Sequence, residues 1–381
     1  VLILPTLAIF FVCVMSCFYV TREPKTSLLL SFVKSGAFIL YFGLFFDGSY
    51  ILGDDLSYFK VGLTITEQQI TFFNFIGRWD EMMALIPDGH KLYYIYNAVA
   101  IKLFGGSYFS AVALNVILTV AIAYYGTTLV VREGWMSPAK GKLFFAFLLI
   151  HPYIFIWSNT VNIKDILVLF LTVLMLHSVS LFFKYRISTA LFIGFIVSVM
   201  LLFLRFYIPL MFAVALMLSL FVLRGGRYRR RLLFYSSIPL FALFGLLGLA
   251  GLQGALREVT EYFVNPIFGI PRFVLTPIPF NTDLYSFLDY PALFHWLMMP
   301  AVVVGFHIVY KVKTPFARFF ITYFVLMILL YGVAGHFQGP RQRLQLEFML
   351  AVFQFLGFVS IMQKNHKNKN SAQTYLNTKS T

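Results

Sequence analysis

Long apolar runs separated by short polar segments are the most regular feature of this chain. Several runs reach the roughly 20 residues with which an α-helix crosses the hydrocarbon core of a bilayer. The pattern therefore predicts an all-α, polytopic membrane protein of about 11 transmembrane helices. The predicted spans are residues 1–20, 28–46, 107–131, 143–157, 166–183, 187–204, 207–223, 232–252, 291–310, 318–335 and 345–362. We expect the first run to be a retained helix, because it lacks the basic start and small-residue cleavage site of a signal peptide.

Composition supports this prediction and removes one class of partner. Hydrophobic residues make up 60% of the chain and charged residues 12%, against about 25% charged residues in soluble domains. A net charge of +15 would fit nucleic-acid binding, but the basic residues lie in short loops between spans. We therefore expect no nucleic-acid partner. Cys13 and Cys17, the only cysteines, lie one helical turn apart in the first span and form no disulfide framework or zinc motif.

The basic loops fix the predicted orientation. If the loop with Arg22 and Lys25 is cytoplasmic, every second loop should carry lysine or arginine. The other loops on that side hold the residues Arg132, Lys140, Lys142, Lys184, Arg186, Arg224, Arg227, Arg229, Arg230, Arg231, Lys311, Lys313 and Arg318. These loops are therefore predicted to be cytoplasmic. A bacterial cytoplasmic (inner) membrane, with an extracytoplasmic active site, is a hypothesis that fits this orientation.

The acidic residues show a second asymmetry. Only Glu23 and Glu133 fall on the predicted cytoplasmic side, and acidic residues contribute little to topology. The others fall outside or at the outer membrane surface: Asp47, Asp54, Asp55, Glu67, Asp80, Glu81, Asp88, Asp165, Glu258, Glu261, Asp283, Asp289 and Glu347. This bias points to an outward-facing polar site.

Two long outer loops and a polar tail complete the predicted organisation. Residues 1–362 form one transmembrane domain with outer loops at 47–106 and 253–290, and residues 363–381 form a disordered cytoplasmic tail. Within the first loop, residues 90–104 are apolar but interrupted by Lys91 and Lys102. This segment predicts an amphipathic helix on the outer membrane surface.

The first candidate for chemistry is the acidic pair Asp54 and Asp55, directly after the second span. Adjacent carboxylates repel each other, so the pair is a candidate for a function: a general base toward an acceptor hydroxyl, or ligands of a divalent cation such as Mg or Mn. An ordinary solvated turn is the alternative. Trp157, Lys164 and Asp165 form a second candidate group, in which Asp165 could equally serve as a helix-start residue.

Arginines form the third candidate group. Arg341 and Arg343, preceded by His336, lie at the outer end of a span, and Arg205 lies at another outer helix end. Guanidinium groups match phosphate oxygens as planar donor forks, so these residues favour phosphate binding. Snorkelling toward lipid headgroups is the alternative for Arg205. His151, His177 and His307 fit packing or helix-end positions better than ligand positions.

The order of these parts resembles the GT-C class of membrane glycosyltransferases, which includes protein mannosyltransferases and aminoarabinose transferases. The resemblance covers most of residues 28–362 and rests on motifs that share the predicted outer side. These are Gly53-Asp54-Asp55-Leu-Ser-Tyr58, the surface helix from Lys91 to Gly105, Leu114-Asn115, Pro152-Tyr-Ile-Phe-Ile-Trp-Ser158, Asp165, and Gly339-Pro-Arg341-Gln-Arg343-Leu-Gln-Leu-Glu-Phe. The chain departs from the class by an additional helix before the acidic span and by an Asp-Asp in place of Asp-Glu.

The resemblance implies specific roles. Asp54 or Asp55 would be the catalytic base or metal-contacting acid, Asp165 the acid of the second outer loop, and Arg341 and Arg343 the donor-phosphate contacts. We further expect Arg205 to contribute to phosphate binding. Tyr58, Trp157, Lys164 and His336 are the candidate sugar or acceptor contacts.

The predicted function is a glycosyltransferase that moves a sugar from a polyprenyl-phosphate donor to a glycan or glycolipid acceptor. The predicted partners are these two substrates and membrane lipids, with a divalent cation left open. One alternative is a polymerase or ligase of polyprenyl-diphosphate-linked glycans, which would use arginines without a carboxylate base. The other is a lipid or glycan transporter, which should carry charged residues near mid-span. From the sequence, Lys34 is the one such candidate, placed near a span end.

Overall fold

The computed structural model describes residues 2–50, 52–70, 74, 77–87, 90–184, 186–221, 231, 262–335 and 338–379. Within these residues the chain is helical. The described part contains no β-strand, and β-pairing there is limited to two isolated bridges, Phe263 with Ala334 and Ile278 with Asn281. The predicted all-α class is confirmed.

Seventeen helices are described here. The first loop and the spans before it hold α1 (Ile3–Thr21), α2 (Pro24–Leu40, continued by a π-helical turn at Tyr41–Phe45), α3 (Gly53–Glu67), α4 (Trp79–Leu85) and α5 (Lys91–Phe104). The middle of the chain holds α6 (Tyr108–Arg132), α7 (Pro138–Leu149), α8 (Pro152–Thr160), α9 (Lys164–Phe183), α10 (Ile187–Arg205) and α11 (Tyr207–Phe221). The last part holds α12 (Pro266–Leu275), α13 (Asp289–Leu297), α14 (Met299–Val312), α15 (Pro315–Val333), α16 (Pro340–Arg343) and α17 (Glu347–Lys379). Two 3₁₀ segments, Asp283–Leu288 and Leu344–Leu346, connect elements of this last part.

Seven helices of the described chain are long and apolar enough to cross a membrane, or up to nine if each of two bent helix pairs forms one span. They coincide with nine predicted spans, so the chain is a multi-pass membrane protein. The predicted span at 207–223 corresponds to α11, which is a shorter apolar helix. The predicted span at 232–252 lies outside the described residues. The count of 11 therefore stays a prediction.

Proline and hydroxyl caps explain where many of these helices begin. Proline is the first residue of α2, α7, α8 and α15, a position at which its fixed φ suits the helix and its missing N–H costs nothing. The side chain of Ser137 caps α7 by accepting from the Lys140 amide, and Thr314 caps α15 by accepting from the Ala317 amide. Both caps lie at predicted cytoplasmic ends.

The first predicted outer loop is built from α3, α4 and α5, and the helix predicted at residues 90–104 is present as α5. Helices α3 and α5 pack closely at Gly62. A Cβ added there would lie 2.7 Å from the Cβ of Asn97, which is too close for two side-chain atoms. The face of α5 that contains Tyr93, Asn97 and Ile101 is buried, whereas Val99 and Leu103 are exposed. This arrangement fixes α3, which carries the acidic pair, against the membrane helices.

The last helix continues past the predicted span. Helix α17 runs from Glu347 to Lys379 and so includes most of the segment predicted as a disordered tail. The disorder and the cytoplasmic side of that segment stay predictions.

Helices α14 and α17 approach at backbone distance. A Cβ added at Gly305 would lie 1.9 Å from the carbonyl oxygen of Phe353, and one added at Gly357 would lie 1.9 Å from that of Ala301. Small residues let membrane helices approach this closely, and the contact itself then supplies the packing energy.

We expect Gly305→Ala to separate these helices and to destabilise the protein by about 1–3 kcal/mol through overpacking. Unfolding of the purified protein by a denaturing detergent, followed by circular dichroism, measures this change. Gly36→Ala is the matched control, because nothing lies within 4 Å of the Cβ position at Gly36. Equal stability of the two variants would contradict the close crossing.

Candidate functional site

A buried carboxylate, Asp165, is the centre of the largest charged cluster that joins predicted site residues. It is the second residue of α9 and is 0% exposed. Arg205 Nη2, at the end of α10, donates to Asp165 Oδ1 at 3.1 Å, and Gln345 Nε2 donates to the same oxygen at 3.1 Å. Arg341 Nε lies 3.5 Å from Asp165 Oδ2. Two predicted phosphate-binding arginines thus converge on one predicted catalytic acid.

Arg341 connects this buried acid to the solvent-accessible one. Its Nη1 donates to Asp54 Oδ2 at 3.1 Å, and the Asp54 side chain is 54% exposed, against 14% for Arg341. Asp54 lies in the first turn of α3, where a carboxylate interacts favourably with the helix dipole. The pair brings together segments that are 287 residues apart in sequence.

The two adjacent aspartates face opposite directions. Asp55 is 0% exposed and its Oδ2 accepts from the Leu52 amide at 3.3 Å and from the Tyr108 hydroxyl at 3.1 Å. It therefore closes the start of α3 in the manner of a capping box. Burial raises the pKa of the Asp55 carboxyl. The sequence could not distinguish the two residues, whereas the structure leaves Asp54 as the accessible carboxylate.

A buried amide network lies behind Asp55. Asn162 donates to the backbone oxygen of Asp55 at 3.2 Å and to Asn97 Oδ1 at 2.7 Å. The Tyr93 hydroxyl donates to Asn162 Oδ1 at 2.7 Å, and Asn115 Nδ2 donates to the Tyr93 oxygen at 3.1 Å. These bonds tie α3 and α5 to α6 and to the segment before α9. Asp55 and its partners therefore position the site.

Asp55→Ala is expected to destabilise the protein by about 1–3 kcal/mol, since it leaves the Leu52 amide and the Tyr108 hydroxyl without their acceptor. Asp54→Ala should cost only about 0–1 kcal/mol, as expected for an exposed ion pair. Detergent-induced unfolding of both purified variants gives the comparison. If Asp54→Ala proves the more destabilising change, the structural assignment of Asp55 is wrong.

Tyr58 and Lys164 lie beside the charged cluster and contact each other. Lys164 Nζ donates to the Tyr58 hydroxyl at 3.0 Å, and Tyr58 is 2% exposed. Burial raises the pKa of the Tyr58 phenol. His90, which contacts the Leu204 carbonyl oxygen through Nδ1 at 3.1 Å, has a pKa lowered to about 4 by burial. At neutral pH the His90 ring is therefore uncharged.

The remaining predicted site residues lie elsewhere. Arg343 is 1% exposed, and its guanidinium lies 4.0 Å from the ring centroid of Tyr153 and donates to the Thr276 carbonyl oxygen. It does not contact Asp165 or Asp54. Trp157 is 0% exposed and packs on Tyr153, Tyr285 and Phe287. His336 lies outside the described residues.

The three aspartates do not converge on one point in the described structure. In the described part of the chain, no three His, Cys, Asp or Glu side chains converge. The guanidinium of Arg341 lies between the carboxylates of Asp54 and Asp165, and Asp55 faces Tyr108 instead. A requirement for Mg or Mn stays an untested prediction.

Several residues of this region were not predicted from the sequence. Gln345 holds Asp165, and its Oε1 also accepts from the Tyr331 hydroxyl. It lies in the Gly339-to-Phe348 motif, so its position in that motif was a usable signal. Tyr108 had no such signal, since an aromatic residue at the start of a span also fits a membrane interface.

The position of Lys34 differs from the one predicted from the sequence. It lies near the middle of the candidate span Pro24–Phe45 rather than near its end, and it is 0% exposed. Its Nζ donates to Thr119 Oγ1 at 2.8 Å and lies 4.9 Å from the ring centroid of Phe155. Glu347, expected outside or at the outer membrane surface, is 0% exposed, and its depth in the membrane stays a prediction.

Comparison with known proteins adds no family. A scan against protein-family models found no match, and searches of curated proteins and of solved structures found no significant match. The resemblance to the GT-C class therefore stays a prediction, and the site is defined by its geometry.

Proposed function

We propose that this chain is a GT-C-like glycosyltransferase that moves a sugar from a polyprenyl-phosphate donor to a glycan or glycolipid acceptor. In this proposal the chain has 11 spans and the site faces outward from the bacterial cytoplasmic membrane. The observation that carries the proposal is the accessible carboxylate of Asp54, 3.1 Å from Arg341, which joins it to Asp165 and thereby to Arg205. Sugar transfer from a lipid-linked phosphate needs a base for the acceptor and cationic groups for the leaving phosphate. These residues supply one carboxylate and two guanidinium groups.

Each of these residues has a separate role in the proposed reaction. Asp54 accepts the proton of an acceptor hydroxyl while that oxygen attacks the anomeric carbon of the sugar. The bond between the anomeric carbon and the phosphate oxygen breaks, and the lipid phosphate leaves with both bonding electrons. Arg341 and Arg205 stabilise the negative charge that develops on this phosphate. Arg343 has no part in this scheme because it is buried against Tyr153.

The contact between Arg341 and Asp54 links binding of the donor to the proposed base. In the structure Asp54 Oδ2 accepts from Arg341 Nη1 at 3.1 Å, and this contact occupies one of the two oxygens of the carboxylate. Arg341 Nη2 is buried and has no hydrogen-bond partner among the described residues. A donor phosphate that binds this guanidinium competes with Asp54 for it. Donor binding therefore releases this oxygen of Asp54 to accept the proton of the acceptor hydroxyl.

The proposal is tested with lipid-linked sugars extracted from a strain that lacks the gene. Membranes with the wild-type protein should consume the donor, glycosylate an acceptor and release polyprenyl phosphate. Release of polyprenyl diphosphate with chain growth would instead show the polymerase or ligase. No consumption of the donor would reject both transferases.

A transporter or lipid flippase is the second candidate function, and Lys34 is the observation that favours it. A charged residue in the middle of a membrane span is a functional hypothesis by default, because its burial is costly. Among the described residues, Lys34 forms no ion pair with a carboxylate, and its polar contact is Thr119.

Lys34→Met separates the two functions. Because Lys34 has no carboxylate partner among the described residues, its replacement by an apolar residue of similar length leaves no uncompensated charge behind, so the variant should fold. We expect its glycosyl transfer to stay within about twofold of the wild-type rate, because Lys34 lies outside the proposed site. Loss of lipid or glycan translocation in vesicles, with a folded protein, would instead favour the transporter. The transfer assay above and a dithionite-accessibility assay of labelled lipid provide the two measurements.

A further inference from the structure

Two bent helix pairs meet inside the bundle at a place that the proposed reaction does not use. Helices α7 and α8 are bent by 42°, with His151 at the break, and the Tyr285–Leu297 and Met299–Val312 pair is bent by 54°. The two pairs are neighbours, since the rings of His151 and Phe294 lie 5.6 Å apart. A broken helix in a membrane frees backbone groups, and these breaks are tolerated where protein or water supplies other partners.

Five polar side chains surround these breaks. This polar core cluster consists of His151, His295, Arg343, Glu347 and Gln354, and none of the five is more than 1% exposed. His151 Nε2 contacts Gln354 Oε1 at 2.8 Å and lies 3.8 Å from Glu347 Oε1. Arg343 Nε lies 3.4 Å from Glu347 Oε2. Because Arg343, Glu347 and Gln354 follow one another along the last span, the cluster extends from its outer end toward the middle of the membrane.

Many polar atoms of this cluster lack hydrogen bonds. Within the described chain, both carboxylate oxygens of Glu347, Nε and Nη2 of Arg343, and Nε2 of Gln354 are buried without a partner, as are Nδ1 of His151 and Nδ1 of His295. Buried polar groups in folded proteins are nearly always satisfied by protein or by water. This cluster therefore requires bound water, bound protons or both.

The contrast with Asp165 shows why the carboxylate of Glu347 is unusual. Asp165 is ionically paired with two arginines and accepts a hydrogen bond from Gln345. Glu347 has one arginine beside it and accepts no hydrogen bond from the described residues. An ionised carboxylate without hydrogen bonds in a membrane interior is costly, and binding a proton removes the charge.

Among the described residues, the charged and titratable groups around Glu347 are few. Arg343 precedes it on the same helical stretch, His151 faces it from the break before α8, Tyr153 faces it from α8, and His295 lies nearby on α13. The elements α7 and α14 contact the same helix through apolar residues, by Phe144 with Phe355 and by Phe306 with Phe353.

We propose that Glu347 and His151 form a proton-binding site inside the membrane-spanning part of the protein. A proton from outer-side water converts the Glu347 carboxylate to a carboxylic acid, and bound water connects it to His151. No electron is transferred, and release of the proton restores the carboxylate. This site does not depend on glycosyl transfer, so its test is separate from the test of the proposed function.

Infrared spectroscopy of the purified protein in lipid nanodiscs tests the site directly. The carbonyl stretch of a protonated carboxylic acid is followed while the pH is lowered between about pH 8 and pH 5. We expect a band that grows as the pH falls and is absent from Glu347→Gln. Glu67→Gln, which changes an exposed carboxylate at the end of α3, should keep the band. Size-exclusion chromatography and circular dichroism confirm that each variant is folded.

Variants of Arg343 provide a second test, for which the direction of the pH shift is predicted. Arg343→Gln removes the adjacent cation, so protonation should move to higher pH by about 1 pH unit or more. Arg343→Lys keeps the charge and should titrate close to the wild-type midpoint. The proposal is overturned if Glu347→Gln has the same spectra as the wild type at every pH, which would show a permanently ionised Glu347 in a static pair with Arg343. A Glu347 band that does not change with pH overturns it as well.

Discussion

Asp54→Asn is expected to leave the protein folded in the membrane and to reduce glycosyl transfer by about 10²–10⁴-fold, the usual contribution of a general base. Asparagine keeps the size of the side chain and can still accept from Arg341, but it cannot accept the acceptor's proton at neutral pH. The side chain is 54% exposed and contacts Arg341 alone among charged groups of the described chain, so the folding cost should be small. Loss of activity without loss of protein is therefore the predicted result.

The measurement uses a deletion strain complemented at matched membrane levels. Surface glycan and accumulated lipid-linked donor are quantified for the wild type, Asp54→Asn and the control Asp80→Asn. Asp80 is an exposed acid in the first turn of α4 and lies outside the site. We expect donor to accumulate only in Asp54→Asn. Full activity of that variant would reject the base and leave the arginine-based polymerase or ligase as the better hypothesis.

Apolar runs predict most of this fold because the membrane constrains it strongly. A spanning segment must satisfy its backbone hydrogen bonds internally, so an apolar run of sufficient length becomes a helix. Nine predicted spans and the loop helix α5 were found in this way. The bends at His151 and Met298 were not, although Pro152 and Pro300 lie just after them. Proline marks where a helix can begin, but it does not give the angle between the two segments.

The candidate site was only partly predictable. Sequence placed Asp54, Asp165, Arg205 and Arg341 on one side of the membrane, and the structure brings these four together. It could not separate Asp54 from Asp55, because the direction of each side chain depends on how α3 docks on α5 and α6. It also could not separate Arg341 from Arg343, which lie two residues apart on one short helix and face different clusters.

The surroundings of two charged residues could not be predicted from the sequence. The limits of the predicted spans placed Lys34 near one end of its span and Glu347 outside or at the outer membrane surface. Their actual positions depend on contacts from distant segments, with Thr119 and Phe155 around Lys34, and Arg343 and His151 around Glu347. Such contacts leave no periodic pattern in one sequence.

Asp165→Asn is expected to be the most destabilising of these changes. Asp165 is fully buried and compensates the charges of Arg205 and Arg341. Removing one partner of a buried ion pair costs about 3–5 kcal/mol, because the remaining charge stays buried without compensation. We expect reduced membrane levels of this variant and unfolding at lower detergent concentration than for the wild type. Glycosyl transfer should also fall, since Arg205 and Arg341 of the proposed phosphate site lose the carboxylate that positions them.

A double-mutant cycle shows whether this cost comes from the ion pair with Arg205. Asp165→Asn and Arg205→Met are made singly and together, and each free energy of unfolding is measured. If the buried charge causes the loss, the double variant should be more stable than the sum of the single losses predicts, by about 0.5–3 kcal/mol. Additive losses would mean that Asp165 acts mainly as the first-turn carboxylate of α9. In that case Arg205 would be held by other groups, and its place in the proposed phosphate site would need a different explanation.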